Sequence, residues 1–242
     1  MKECAHKKLA FVVLAGGKSL RMGQDKAVMK LGLLPEPFCR KHDYLARCKD
    51  IAVIQNLDFL WQSLWTVTKL LPRLPFAEQK MYLSCRADQK EFYQEHIALY
   101  QEIAPDSVAP VDYILDEGNG VCGALTVCLE YLQKNIFCLP CDVPFVTEKN
   151  VLTLIDLWQK SGNENIFQYT YVDPVNGRKE TLISLYTTGA KAAFYEAMTK
   201  KIRVQNTISE KHCVTVPFSG NLRKELFNIN INSDIQLINT LG

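Results

Sequence analysis

The residues best suited to chemistry form one continuous run, Leu14-Ala15-Gly16-Gly17-Lys18-Ser19-Leu20-Arg21-Met22-Gly23-Gln24-Asp25-Lys26, directly after an apolar stretch. Glycines 16, 17 and 23 let the backbone turn sharply and approach a ligand closely, so that main-chain N–H groups can point at phosphate oxygens. Arg21 and Lys26 add two full positive charges to the same loop. A triphosphate suits this arrangement far better than a neutral ligand does. Two familiar glycine motifs are excluded by spacing. A P-loop needs a glycine where Val12 stands, and a dinucleotide fingerprint needs GxGxxG, which glycines 16, 17 and 23 do not provide.

Other reactive side chains point to less. The nine cysteines are irregularly spaced in a chain large enough to fold without staples, so reduced thiols are expected. Cys138 and Cys141 form a CxxC, but a zinc site would need a second close pair, and Cys122 with Cys128 has the wrong spacing. They read as small apolar residues at the end of a buried strand. The four histidines, 6, 42, 96 and 212, form no cluster or triad.

The elements that must position the loop alternate regularly. Strand-like runs occur at 9–15, 80–85, 111–115, 135–140, 166–172, 181–186 and 213–217, with helix-like stretches at 57–71, 87–103, 121–134, 147–160 and 189–201. That alternation predicts an α/β fold with a doubly wound, mostly parallel sheet and helices on both faces. Thr147 with Glu148 reads as a helix N-cap and first-turn acid, while Pro72 and Pro105 follow helical stretches. Trp61 and Trp65, four apart on one predicted helix, read as core or interface. The pattern is weak only over 32–56, a possible insertion. No repeat or Gly/Ser linker divides the chain, so a single domain over 1–242 is expected.

Composition excludes several classes. With 48% hydrophobic and 22% charged residues the chain reads as an ordinary globular protein. A net charge of +2 gives no nucleic-acid or anionic-membrane partner, and no apolar run approaches the roughly 20 residues of a membrane span. Basic residues near Met1 lead into Gly16 and Gly17 with no small-residue cleavage site, so a cytoplasmic protein is expected.

The run LAGGxSxRMGxDK resembles the N-terminal signature of molybdenum cofactor guanylyltransferases and their nucleotidyltransferase relatives. Further segments match in order: Ser84 to Gln89, Asp116, Gly120 to Leu125, Cys141-Asp142-Val143-Pro144-Phe145, and Phe227-Asn228-Ile229-Asn230 with Asp234. The resemblance implies a Rossmann-like nucleotidyltransferase fold and transfer of GMP from GTP to the phosphate of molybdopterin, releasing pyrophosphate. It implies that Leu14, Ala15, Gly16, Gly17 and Ser19 meet the nucleotide, that Arg21 and Lys26 hold phosphates, and that Ser84 and Asp116 complete the nucleotide site. Asp142 would bind Mg²⁺, a hard cation that takes few protein carboxylates alongside substrate phosphates. Protein partners would be molybdoenzymes or other cofactor-assembly proteins.

Departures from the family pattern fall mainly on the acceptor side. The chain is longer than the pattern between Lys30 and Met81, Ser84 stands where many relatives have Asn, and Gly177 to Leu182 matches the acceptor segment only loosely. Leu14-Ala15-Gly16-Gly17 favours GTP, since cytidylyltransferase relatives tend to show Leu-Ala-Ala-Gly. A cytidylyltransferase or sugar-phosphate nucleotidyltransferase of the same fold, and a non-catalytic nucleotide-binding module, stay open as alternatives.

Overall fold

The computed structural model describes residues 8–16, 25–30, 58–103, 107–217, 222–229 and 234. The weakly patterned segment 32–56 lies outside them.

One sheet organises the described residues. Strands β1 (Leu9–Leu14), β2 (Ala77–Arg86), β3 (Val111–Asp116), β4 (Asn135–Pro140), β5 (Gln168–Val172), β6 (Lys179–Tyr186) and β7 (Cys213–Pro217) take the order β3-β2-β1-β4-β6-β5-β7. Pairing is parallel throughout except along β6, which is antiparallel to both neighbours. This is the doubly wound, mostly parallel sheet that the alternation predicts.

β1 is central because its sequence, LAFVVL, is apolar on both faces, as a strand covered on both sides must be. Leu9, Phe11 and Val13 face one core, built with α1 (Phe59–Leu70), α2 (Lys90–Ile103) and α4 (Glu148–Ser161). Ala10 and Val12 face a second core, built with α3 (Gly120–Leu132) and α5 (Lys191–Thr199). Each fully buried Leu or Phe here contributes about 1.5–3 kcal/mol.

Helix ends follow local chemistry. Asp58, fully buried, caps α1 by accepting from Trp61 N–H at 3.1 Å, and it also accepts from Tyr100 Oη–H at 2.6 Å. Thr147 caps α4, with Asn150 completing a reciprocal capping box and Glu148 in the first turn. α3 stops at Leu132 because Gln133 adopts a left-handed conformation, φ 50°. Lys201, φ 56°, turns the chain soon after α5. Residues 188–190 form a 3₁₀ turn, so α5 starts at Lys191 rather than at Gly189. Trp61 and Trp65 stack at 5.8 Å with planes 10° apart, and Trp61 is fully buried in the core.

The CxxC separates across the sheet. Cys138 belongs to the core beside α3 and α5, whereas Cys141 belongs to the opposite core. Both are free thiols, and burial holds both well above the usual thiol range. Among the described residues no cluster of His, Cys, Asp and Glu has metal-site geometry. Replacing both cysteines with Ser buries two hydroxyls in apolar surroundings and should cost about 1–3 kcal/mol for each that stays unbonded. Thermal unfolding checks the loss, and metal analysis of the wild-type protein should find no stoichiometric zinc.

Candidate active site

The sheet reverses direction of growth at β1. The chain builds β1, β2 and β3 outward to one side, then places β4 on the other side of β1. Ligands of open α/β sheets bind outside the carboxyl ends of the strands at this switch point. Leu14 is in register with Pro140 on β4 and with Ser84 on β2, and Arg86 of β2 with Asp116 of β3. The carboxyl ends of these strands therefore bring Ala15, Gly16, Ser84, Asp116 and Asp142 to one edge.

The backbone at the end of β1 is firmly held. Cys141 N–H donates to Leu14 O at 3.2 Å, and Ala15 N–H donates to Ser84 O at 2.9 Å. Tyr93 Oη lies 3.0 Å from Ala15 O. Recognition through Leu14 and Ala15 is thus limited to second lone pairs on their carbonyl oxygens. Ser84 is buried, and its hydroxyl donates to Asp116 Oδ2 at 3.5 Å; Asp116 Oδ1 accepts from Gly118 N–H at 2.8 Å. In this arrangement Ser84 orients Asp116. Gly17, Ser19 and Arg21 lie outside the described residues.

Lys26 and Asp142, 116 positions apart in sequence, meet at 3.4 Å. Lys26 opens a 3₁₀ turn, Lys26–Val28, capped by Asp25 through Ala27 N–H at 3.0 Å. Asp142 lies in the turn after β4, and since Thr147 caps the next helix, Asp142 does not serve as that cap. Ile229 N–H donates to the Asp142 backbone carbonyl at 2.9 Å, and the Asn228 side chain lies against the carboxylate. The Asn-Ile segment near the end of the chain is thereby brought to the switch point. Burial pushes the Asp142 carboxyl above the ordinary range more strongly than Lys26 and Asn228 pull it down. Asp142 Oδ1 is buried with no hydrogen bond of normal length among the described residues.

Three groups at this edge received no role from sequence. Glu180 is the second residue of β6, which runs antiparallel to β4 and so starts beside the carboxyl end of β4. Burial raises its carboxyl pKa first; Arg178 opposes that, while Asp173 and Asp142 add to it. Arg86 at the end of β2 grips Asp88 through two bonds of 2.9 and 2.8 Å, and its Nη1 is buried without a hydrogen bond. Tyr93 projects from α2 to Ala15 and Asp25. Arg86 lay inside a motif matched in sequence and Glu180 inside the loosely matched segment Gly177 to Leu182, whereas Tyr93 acquires meaning only from helix packing. Neither described histidine reaches the edge: His96 packs against Phe92 with the rings tilted by 44°, and His212 stacks on Phe167.

This topology and site define the class: it is the Rossmann-like nucleotidyltransferase fold. Similarity extends across the whole chain to the molybdopterin-guanine dinucleotide biosynthesis protein A of Archaeoglobus fulgidus (TM-score 0.59, 17% identity, 97% of each chain). It extends equally to the 4-diphosphocytidyl-2C-methyl-D-erythritol synthase of Anaerococcus prevotii DSM 20548 (TM-score 0.62, 12% identity, 98% of this chain and 96% of that one). In sequence, the chain resembles a probable molybdenum cofactor guanylyltransferase of Bacillus cereus strain G9842, with 24% identity over 198 residues, 80% of this chain and 76% of that protein. No protein-family profile matches the chain. Among the described residues no helix is long and apolar enough to cross a membrane.

Gly16 shows how closely the loop is packed. A Cβ added there would lie 2.5 Å from Asp116 Oδ2 and 3.6 Å from the Cys85 backbone. Gly16→Ala should therefore destabilise the fold by about 1–3 kcal/mol, as overpacking does. Asp116→Ala in the same protein should return part of that loss, because the two side chains compete for one space. Denaturant melts of both single variants and the double variant measure the coupling.

Proposed function

We propose that the protein is a nucleotidyltransferase that transfers GMP from GTP to the phosphate of molybdopterin, releasing pyrophosphate and forming a guanine dinucleotide cofactor. The observation that carries this reading is the convergence of Lys26 and Asp142 at the switch point where β1 and β4 end side by side. The likeness to the guanylyltransferases supports GTP as donor; the likeness to the diphosphocytidyl synthase keeps cytidylyl transfer as the second reading.

The acceptor phosphate has a second pKa near 6, so at neutral pH it is largely ionised and needs no strong base. One of its oxygens attacks the α-phosphorus in line, the bond to the bridging oxygen breaks, and pyrophosphate leaves with the electron pair. Catalysis then falls to positioning and charge neutralisation. Lys26 and Arg21 supply fixed positive charge to the triphosphate. Asp142 fits a divalent cation: its unbonded Oδ1 and raised carboxyl pKa are what a buried metal ligand would show before its ion arrives. Asp142 would hold Mg²⁺, and the ion, when bound, would supply positive charge to the triphosphate.

The same edge offers a place for the acceptor. A cavity of about 630 Å³ lies between Asn119 and Gly120, which follow β3, and Arg178, which precedes β6, with Lys201 and Arg203 along its wall. None of these three cations makes an ion pair among the described residues. Lys201→Ala with Arg203→Ala should raise KM for molybdopterin about tenfold while leaving KM for GTP near normal, as loss of charge-assisted phosphate contacts would. Steady-state kinetics in each substrate separates the two effects.

The principal test is pyrophosphate release with GTP, CTP, ATP and UTP, with and without molybdopterin and Mg²⁺. Turnover should require both additions and favour GTP. Preference for CTP would establish the second reading, and tight GTP binding with no turnover would make the protein a binding module.

Asp142→Asn keeps the size of the side chain and removes its charge, so turnover should fall about a hundredfold or more. Stability should not fall with it. A carboxyl whose folded pKa is raised costs the fold nothing below its unfolded value of about 3.9, and the cost is complete once pH passes the raised folded value. At neutral pH the metal-free variant should melt at or above the wild-type midpoint. Wild-type metal affinity should weaken as pH falls through the raised value, because protons then compete for Asp142. Calorimetric Mg²⁺ titrations across pH check this.

A further inference from the structure

The phosphate loop is described at two points, Ala15 where β1 ends and Asp25 just before Lys26, and a single side chain reaches both. Tyr93, fully buried on α2, places its hydroxyl 2.6 Å from Asp25 Oδ2 and 3.0 Å from Ala15 O. Gln89, one turn earlier, donates Nε2–H to the same Asp25 oxygen at 2.9 Å. The other oxygen, Oδ1, accepts from Ala27 N–H and closes the turn that begins at Lys26. Asp25 is thus held on both oxygens, by the helix on one side and by its own turn on the other.

The phenol has one proton and two acceptors in reach. The shorter contact is to the charged acceptor, where a hydrogen bond is stronger. Burial, with the neighbouring acidic groups adding to it, raises the Tyr93 pKa, so the hydroxyl remains a donor at every working pH. A buried tyrosine needs some partner, and any nearby carbonyl would serve. Tyr93 instead spans the two ends of the loop and clamps the residue next to the loop's lysine. Lys26 has a flexible four-carbon stem, and its aim depends on how firmly its backbone turn is set.

We infer that Tyr93, assisted by Gln89, is a positioning residue for Lys26: through Asp25 it fixes the turn that directs the ammonium to the switch point beside Asp142. The inference rests on Lys26 being the phosphate ligand proposed above. Tyr93 touches no substrate.

Tyr93→Phe keeps the ring in the core and deletes only the hydroxyl; Gln89→Leu is the second probe should the first fold poorly. Two readouts apply. The rate at which an amine-reactive reagent labels Lys26, followed by mass spectrometry, reports its setting without any nucleotide and should rise several-fold in Tyr93→Phe. GTP binding by calorimetry should weaken about tenfold to a hundredfold, the scale expected when a binding group is misplaced by about an ångström. In a Lys26→Ala background, Tyr93→Phe should produce no further loss of GTP binding. An unchanged labelling rate overturns the inference. So does the same loss of GTP binding with and without Lys26, which would trace the effect to Ala15 or to general loosening. If labelling responds as expected while wild-type protein binds no GTP, the positioning role stands and the proposed function fails.

Discussion

Parallel pairing of β1 with β2 on one side and β4 on the other is the constraint on which the rest of the molecule depends. Because both faces of β1 are covered, the strand must be apolar along its whole length, and its register is anchored on both sides of the sheet at once. That register sets Leu14 level with Ser84 and Pro140, so that the chain leaving β1 and the chain leaving β4 emerge side by side. A polar site at that edge needs no penetration of the core. The helices bury the two faces, and the carboxyl edge is left for Gly16, Lys26, Asp116 and Asp142.

Electrostatics at this edge follow from partial burial. Lys26 and Asp142 are each less than one-fifth exposed at the side chain, so their attraction is screened less than that of a surface pair. Yet burial still raises the Asp142 carboxyl, because a single ammonium at 3.4 Å does not replace the water it lost. Glu180 stands in the same position for the same reason, with Asp142 nearby adding repulsion. The edge thus carries two carboxylates whose lost hydration is incompletely replaced, with the Lys26 ammonium beside one of them.

The close fit of Gly16 against Asp116 connects this electrostatics to steric packing. Asp116 takes donors from Ser84 and Gly118, which hold its carboxylate against the glycine backbone. A side chain at position 16 would displace that carboxylate. The glycine after β1 is therefore required by a neighbour 100 positions away.

Much of this was legible in the sequence. Among the described residues the period-two and helical runs located every strand and long helix, because an amphipathic or fully apolar pattern reports directly which faces are covered; boundaries moved by a few residues where a 3₁₀ turn or left-handed residue intervened, as at Gln133 and 188–190. The glycine loop and its cations were legible because three glycines and two cations stand close together in the chain. What the sequence alone could not supply was anything that depends on distance across the fold. The meeting of Lys26 with Asp142, the arrival of Ile229 at the Asp142 carbonyl, the contact of Ser84 with Asp116, and the reach of Tyr93 to Asp25 were settled by sheet register and helix packing. The CxxC shows the same division from the other side: two cysteines three positions apart were sent to opposite cores, because one lies within β4 and the other just past its end. Local chemistry is written in local sequence, whereas a site built across strand ends exists only once the sheet has set its register.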